Sequence, residues 1–121
     1  MKFTCSVKKN RQFRQLYQDG KSFANRQLVL YVMPNGEFEP EPKPKERINR
    51  LGIVCSKKAV GKAHMRNRQR RLIRESYRLL ESKIKPGYDL IFIARAGMAG
   101  MGCNQVMDCM KHILKKAAML A

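Results

Sequence analysis

The most chemically suggestive part of the sequence is a basic run between residues 56 and 78. It holds nine Lys or Arg residues and one acid, Glu75, and all six of its bases from residue 66 onward are arginine. The guanidinium group of arginine is planar, keeps its charge and can donate two parallel hydrogen bonds to one phosphate. This composition predicts a surface that binds the phosphate groups of a polyanion.

The same run has the spacing of an amphipathic helix, predicted from about His64 to Lys83 and ended by Pro86-Gly87. At about 100° per residue, one face of this helix is apolar and the opposite face is basic. The apolar face consists of Leu72, Ile73, Ser76, Tyr77 and Leu80. The basic face consists of Asn67, Arg70, Arg71, Arg74 and Arg78, flanked by Arg66 and Arg68. The helix can therefore pack on a core while it presents arginines.

The charge of the whole chain supports a polyanion partner. The 121 residues include 26 Lys+Arg against 9 Asp+Glu, a formal net charge of +17, which repels itself unless a polyanion is bound. A merely solvated helix face would need balancing acids, and only Glu75 and Glu81 are placed to supply them. A membrane-lying helix would expose a wider apolar face. Nucleic acid is the favoured partner, and we expect no membrane partner.

The residues do not suggest a protein active site. The sequence has no Gly-rich phosphate loop and no H-E-x-x-H motif, and Asp19, Asp89 and Asp108 are far apart along the chain. His64 could act as a general base, but a histidine that faces phosphate at the start of the helix is the favoured interpretation. We therefore expect no catalytic residue, no metal site and no cofactor bound by the protein alone.

Four cysteines, Cys5, Cys55, Cys103 and Cys109, lack the spacing of a zinc site, and we expect free thiols in a reducing compartment. The longest apolar runs, 28–33 and 90–94, are strand-sized. The N-terminus carries no apolar signal region. These features predict a cytoplasmic protein.

The other patterns predict one domain built from helices and strands in the order helix, two or three strands, helix, strand, helix. We expect Asn10 and Asn104 to cap the first and last helices. Glycines make residues 97–102 a loose loop, and Glu37–Lys45, rich in Pro and Glu, is expected to be an extended loop between two strands. The predicted elements are a helix 10–18 stopped by Gly20, an extended piece 22–25, strands 28–33, 51–55 and 88–94, and a helix 104–119.

Two aromatic residues of the first helix could bind nucleotides. Phe13 and Tyr17 are four residues apart and form one strip on the helix surface. Such a strip can stack on any unpaired base. Alternatively, both rings pack in the core. The residue types alone favour this second interpretation.

The basic run contains an ordered motif: Ser56-Lys57-Lys58, then Met65-Arg66-Asn67-Arg68, then Arg70-Arg71-Leu72-Ile73-Arg74-Glu75. With this motif the sequence resembles the bacterial ribonuclease P proteins. Residues 13–25 resemble the first helix and strand of that family, residues 51–58 its third strand and residues 88–95 its last strand. The ordered match extends over about residues 5–118.

The resemblance implies an α+β sandwich in the order α-β-β-β-α-β-α, as a single domain over residues 1–121. It also implies a left-handed β-α-β crossover around the Arg-rich helix, where the general rule for parallel strands predicts a right-handed one. The loop 37–45 would be an insertion into this fold, longer than a minimal hairpin needs.

The resemblance further implies a protein subunit of ribonuclease P, an endoribonuclease that removes the 5′ leader from precursor tRNA. Chemistry and magnesium ions would belong to the RNA subunit, and the free protein is expected to be monomeric. The residues expected to bind the catalytic RNA are Lys57, Lys58, Lys62, Arg66, Asn67, Arg68, Arg70, Arg71 and Arg74. Those expected to line a leader-binding cleft are Phe13, Tyr17, Ser22, Asn25, Gln27 and Val29.

Two competing functions remain at this stage. A structural RNA-binding protein, such as a ribosomal protein, would share the charge but would not need a cleft lined by Phe13 and Tyr17. A self-sufficient nuclease would need clustered carboxylates, and the purified protein alone would have to cleave RNA.

Overall fold

A computed structural model describes residues 4–7, 10–34, 49–56 and 61–120. The predicted insertion 37–45 and the predicted RNA ligands Lys57 and Lys58 lie outside the described residues. Within them, the chain forms five strands and three α-helices, with short 3₁₀ turns at Glu81–Lys83 and Ala96–Met98. The strands are β1 (Thr4–Ser6), β2 (Lys21–Ala24), β3 (Leu28–Pro34), β4 (Asn49–Val54) and β5 (Tyr88–Ala94), and the helices are α1 (Asn10–Asp19), α2 (Ala63–Leu80) and α3 (Cys103–Lys116).

The five strands form one mixed sheet in the order β1-β4-β5-β3-β2. β1 and β5 both pair with β4 in parallel, whereas β3 pairs antiparallel with β5 and with β2. From α1 onward the order of elements is α-β-β-β-α-β-α, so the predicted α+β fold is confirmed.

The short strand β1 was not predicted. Its three residues, Thr4-Cys5-Ser6, carry no alternation of apolar and polar side chains. It forms by parallel pairing with residues 49–51, more than forty positions along the chain. A contact of this range leaves no local signal in the sequence.

The helices cover opposite faces of the sheet. On one face, α2 and α3 enclose the larger core, where Tyr77 contacts Phe92 with ring centroids 6.3 Å apart. On the other face, α1 buries Leu16 against Met33 and Ile91. Because β5 contributes to both cores, it carries apolar residues on both faces.

This arrangement requires two crossovers of opposite hand. β1 and β2 are parallel and joined through α1, and β4 and β5 are parallel and joined through α2. Both connections move across the sheet in the same direction, but their helices lie on opposite faces. One of the two must therefore be left-handed, against the usual preference. It is the crossover around α2, as the resemblance implied.

Three local predictions need correction. The last helix begins at Cys103 with Gly102 as its N-cap, and the Gln105 side chain accepts a hydrogen bond from Gly102 N, so Asn104 is not the cap. The α-helical part of the Arg-rich helix ends at Leu80 rather than at Lys83. The loop 97–102 is anchored at its start, because a 3₁₀ turn inserts Met98 into the larger core.

Candidate RNA interface

The basic and apolar faces of α2 lie as the helical spacing predicted. Ile73, Ser76, Tyr77 and Leu80 are buried, and Leu72 is half-buried at the border of the core. Gln69 is also buried, although its amide gave no such signal in the sequence. The opposite face presents Arg68, Arg70, Arg71 and Arg74 to solvent, with Arg66 half-buried beside them and Lys62 exposed at the start of the helix.

Few of these cations are neutralised by the protein. Among the described residues of α2, the single ion pair joins Arg78 to Glu75, with 3.0 Å between Arg78 Nε and Glu75 Oε2. The bond from Arg78 lowers the pKa of Glu75 below its ordinary value. Arg68, Arg71 and Arg74 form no hydrogen bond or ion pair with any described residue. The exposed face of α2 is therefore a row of guanidinium groups with donors to spare for phosphate.

The two remaining arginines of this face are held in part by neighbouring oxygens. Arg66 Nη1 donates to the Gly61 carbonyl at 3.1 Å, and Arg70 Nη1 donates to Asn67 Oδ1 at 3.4 Å. Their positive charge reaches Cys55, at the end of β4, where it opposes the increase in thiol pKa that burial causes. Both guanidinium groups are therefore close enough to the carboxyl end of β4 to act on this thiol.

A second candidate surface lies on the other face of the sheet, beside α1. The pairing register sets four side chains in one row across this face: Ser22, Tyr31, Ile91 and Gly52. Helix α1 covers three members of this row, and Ser22 at its end is exposed. Phe13 lies over Gly52, Leu16 packs on Ile91, and Tyr17 meets Tyr31 edge-to-face at a centroid distance of 5.0 Å.

The next row on the same face is left uncovered. It consists of Ala24, Val29, Ile93 and Val54, which are paired side by side. The side chain of Ala24 is exposed and the other three are half-buried. We refer to these four residues as the apolar strip. Together with the exposed edge of α1, the strip forms a shallow cleft with an apolar floor.

The two aromatic residues of α1 have different environments. Phe13 is half-buried and packs with the smaller core, as the residue types alone favoured. Tyr17 is 42% exposed, so its ring is available at the rim of the cleft. Partial burial, and secondly the neighbouring Tyr31, raise the pKa of Tyr17 above its ordinary value. The phenol is therefore neutral at physiological pH and can donate a hydrogen bond.

The structure brings together some of the residues expected to line the cleft. Phe13, Tyr17, Ser22 and Val29 share one face of the sheet, and Gln27 lies just beyond the apolar strip. Asn25 differs, because its amide is used within the fold. Asn25 Oδ1 accepts the backbone N–H of Gln27 and of Leu28, and Asn25 Nδ2 donates to the Cys109 carbonyl of α3 at 3.1 Å.

Several residues of this surface were not singled out from the sequence. Tyr31 and Ile93 belong to the cleft because they alternate with core residues along β3 and β5. A groove of about 420 Å³ lies beside β4, where Phe13 and Gly52 line it together with Arg70 and Arg74 of α2. This groove connects Phe13 of α1 to the arginine face of α2.

The described residues contain no group of three or more His, Cys, Asp or Glu side chains that could hold a metal ion. None of the helices described is both long and apolar enough to cross a membrane. Cys55, Cys103 and Cys109 are free thiols, as predicted for these three.

Comparison with known proteins gives a consistent result. The model of the ribonuclease P family matches residues 1–118. The chain is 47% identical over 114 residues to a ribonuclease P protein component of Clostridium perfringens, covering 94% of this chain and 89% of the relative. A protein of the same name from Clostridioides difficile is 45% identical over 114 residues, covering 93% and 91%.

Solved structures agree with the sequence relatives. The RNase P protein of Staphylococcus aureus superposes with a TM-score of 0.79 at 37% identity, covering 96% of this chain and 97% of that one. The RNase P protein of Thermotoga maritima gives 0.77 at 28% identity, covering 92% and 96%.

Proposed function

Because this chain belongs to the ribonuclease P protein family, we propose that it binds the catalytic RNA of the enzyme through the outer face of α2 and the 5′ leader of precursor tRNA through the cleft beside α1. In this account the protein increases the affinity of the holoenzyme for precursor tRNA, and the RNA cleaves the leader. The observation that carries the proposal is the groove that joins Phe13 to Arg70 and Arg74.

The outer face of α2 supports RNA binding by its uncompensated charge. Arg68, Arg71 and Arg74 are exposed and unpaired among the described residues, while only Arg78 has a carboxylate partner on the helix. The opposite face of α2 is buried, so the arginines are carried on a rigid element. A folded RNA crowds phosphates on its surface, and fixed guanidinium groups neutralise them without further ordering of the protein.

The cleft supports binding of a single strand rather than a duplex. It offers an exposed tyrosine, Tyr17, and an apolar strip at the bottom of a shallow depression. Unpaired nucleotides expose the faces of their bases, which stack on aromatic and apolar side chains regardless of sequence. A precursor tRNA has such a strand at its 5′ end and the mature tRNA does not, so the cleft would favour substrate over product.

We assign cleavage of the phosphodiester bond, and the magnesium ions that assist it, to the RNA subunit. The chain supplies cations and hydrogen-bond donors at both surfaces, and several described carboxylates are bonded to other side chains of the fold. Asp89, for example, accepts two hydrogen bonds from Arg50, the shorter at 2.7 Å. The chemistry that this protein contributes is therefore positioning and charge neutralisation.

A leader-length series tests the proposal. The reconstituted holoenzyme is titrated with precursor tRNAs whose leaders increase from none to about ten nucleotides, alongside the RNA subunit alone. We expect affinity to increase with leader length in the holoenzyme and to stay constant for the RNA alone. An RNA-binding protein with a purely structural role would instead improve affinity for all substrates equally, and that result would overturn the assignment of the cleft.

A further inference from the structure

The turn between β2 and β3 is unusually well fixed. The Asn25 side chain bonds to the backbone N–H groups of Gln27 and Leu28 and to the carbonyl of Cys109 on α3. Gly97 packs on the carbonyl of Arg26, where a Cβ would lie 2.4 Å from the oxygen. The turn is therefore clamped between α3 and the 3₁₀ turn that follows β5.

Cations from three separate parts of the chain converge on this turn. Arg95 Nη1 donates to the Asn25 carbonyl at 2.8 Å, and Lys116 Nζ donates to the Ala24 carbonyl at 2.9 Å. Arg26 belongs to the turn itself and is exposed. His112 of α3 lies 3.5 Å from the Asn25 amide through its Nδ1 atom. We call Arg26, Arg95 and Lys116 the turn cluster.

The turn cluster has no acidic partner among the described residues. Asp108 is one helical turn before His112 on α3, but it forms no ion pair with a described cation. Arg26, Arg95 and Lys116 form no ion pair with a described acid. Three like charges around one turn repel each other unless an anion is present. Arg95 and Lys116 each use one donor on a backbone carbonyl and keep further N–H groups for a ligand.

The position of the turn cluster relates it to the cleft. The apolar strip begins at Val54, at the end of β4 that leads towards α2, and ends at Ala24, immediately before the turn. Arg95 comes directly after β5 and Gln27 directly before β3, at the same end of these two neighbouring strands. There, Arg95 N donates to the Gln27 carbonyl at 2.9 Å. Three strand spacings, about 14 Å, separate the two ends of the strip. A basic surface thus lies at each end of the apolar floor.

We propose that the turn cluster is a second phosphate-binding surface, which holds the backbone of an RNA strand after it has crossed the apolar strip. This inference rests on the proposed function and extends it, because it gives the strand a second anchor far from α2. The chemistry recognised is the RNA phosphodiester. The leader of precursor tRNA is one source of it and the catalytic RNA is another.

A matched pair of double variants tests this proposal. Arg26→Gln/Lys116→Gln removes two charges of the turn cluster and leaves an amide at position 116 that can still donate to a carbonyl. Lys83→Gln/Lys85→Gln removes two exposed charges beyond the end of α2. Both change the net charge from +17 to +15. Thermal unfolding verifies that each is folded, and Arg26→Gln alone serves as a further variant, because the Arg26 side chain forms no hydrogen bond with the described residues.

The affinity of the holoenzyme for precursor tRNA with a long leader and for mature tRNA is measured as a function of salt concentration. The affinity of the protein for the catalytic RNA is measured separately over the same salt range. Each phosphate contact contributes about 0.7 to the log–log salt slope, so the turn-cluster variant should lose about 1.4 in slope and bind about 20-fold more weakly at 0.1 M salt. The Lys83/Lys85 variant should match the wild type within about threefold.

The arms of the experiment separate the sources of phosphate. A loss confined to the long-leader substrate identifies the leader, and a loss with the catalytic RNA identifies that RNA; either result supports the turn cluster as a phosphate site. Equal behaviour of the two double variants on every RNA overturns it. The proposed function is tested separately by the wild type in the same titrations, since it fails only if the wild-type protein itself shows no leader-dependent affinity.

Discussion

The ring of Phe13 lies directly over Gly52, so that a Cβ at position 52 would lie 2.9 Å from Phe13 Cε1. The same Cβ would lie 3.3 Å from Ile91 Cγ1, at the centre of the smaller core. A glycine on β4 therefore allows α1 to sit close to the sheet. The height of α1 above the sheet in turn sets the depth of the cleft beside it.

This contact predicts that Gly52→Ala displaces Phe13 and disturbs the cleft. The variant should be less stable by about 1–3 kcal/mol, the usual cost of overpacking a core. It should also lower the preference of the holoenzyme for precursor over mature tRNA. Chemical denaturation and competitive binding measure the two effects. Gly61→Ala is the control, because a Cβ at Gly61 meets no atom within 4 Å.

The arginines of α2 differ in a way that predicts different roles. Arg71 is exposed without a partner among the described residues, whereas Arg78 is bound to Glu75. We expect Arg71→Ala to weaken binding of the catalytic RNA and to reduce the log–log salt slope by about 0.7, the loss of one phosphate contact. Arg78→Ala should have a smaller effect, because its charge is already compensated. Equal losses in both variants would contradict this assignment.

The exposed ring of Tyr17 predicts a stacking contribution to leader binding. Tyr17→Ala should weaken binding of a leader-bearing precursor by about 1–3 kcal/mol, the value of one base stacked on an aromatic ring. Tyr17→Phe should retain most of the affinity for this precursor, because stacking needs the ring rather than the hydroxyl. Leu79→Ala removes an exposed apolar side chain from α2 and should leave leader binding unchanged. Loss of affinity in Tyr17→Phe equal to that in Tyr17→Ala would instead point to a hydrogen bond.

Asn49 predicts an effect on stability. Its buried amide donates to Tyr77 Oη at 3.3 Å and accepts the Tyr88 backbone N–H at 3.0 Å, so it joins β4 to α2 and β5. Asn49→Ala should cost about 1–3 kcal/mol, because it removes the acceptor of the part-buried Tyr88 N–H and the hydrogen bond to Tyr77. RNA affinity well below the unfolding temperature should stay unchanged. Asn104→Ala should hardly alter stability, since Asn104 is exposed and does not cap α3.

Periodic elements could be predicted from the sequence and long-range contacts could not. The two faces of α2 followed from the helical period, because Ile73, Tyr77 and Leu80 recur on one side and the arginines on the other. Asn49 and Gln69 gave no comparable signal. Their burial depends on partners from other elements, and a polar side chain alone is more typical of the surface.

The candidate cleft was predictable only in part. Phe13 and Tyr17 could be identified as a strip on α1. The sequence could not show that Phe13 is covered and Tyr17 exposed, because this depends on their contacts with Gly52 and Tyr31 of the sheet. The apolar strip depends on the register between four strands whose order in the sheet differs from their order in the sequence. Asn25 illustrates the same limit, because its amide bonds to the carbonyl of Cys109, 84 residues later.

Reconstitution of the enzyme tests whether this protein assists a catalytic RNA. Precursor tRNA is incubated at low magnesium concentration with a bacterial ribonuclease P RNA, with this protein, and with both together. We expect cleavage at the 5′ end of the tRNA only when both are present, and slower cleavage with Arg68→Ala or Arg71→Ala. Absence of any stimulation of the RNA by the wild-type protein, or cleavage by the protein alone, would contradict this expectation.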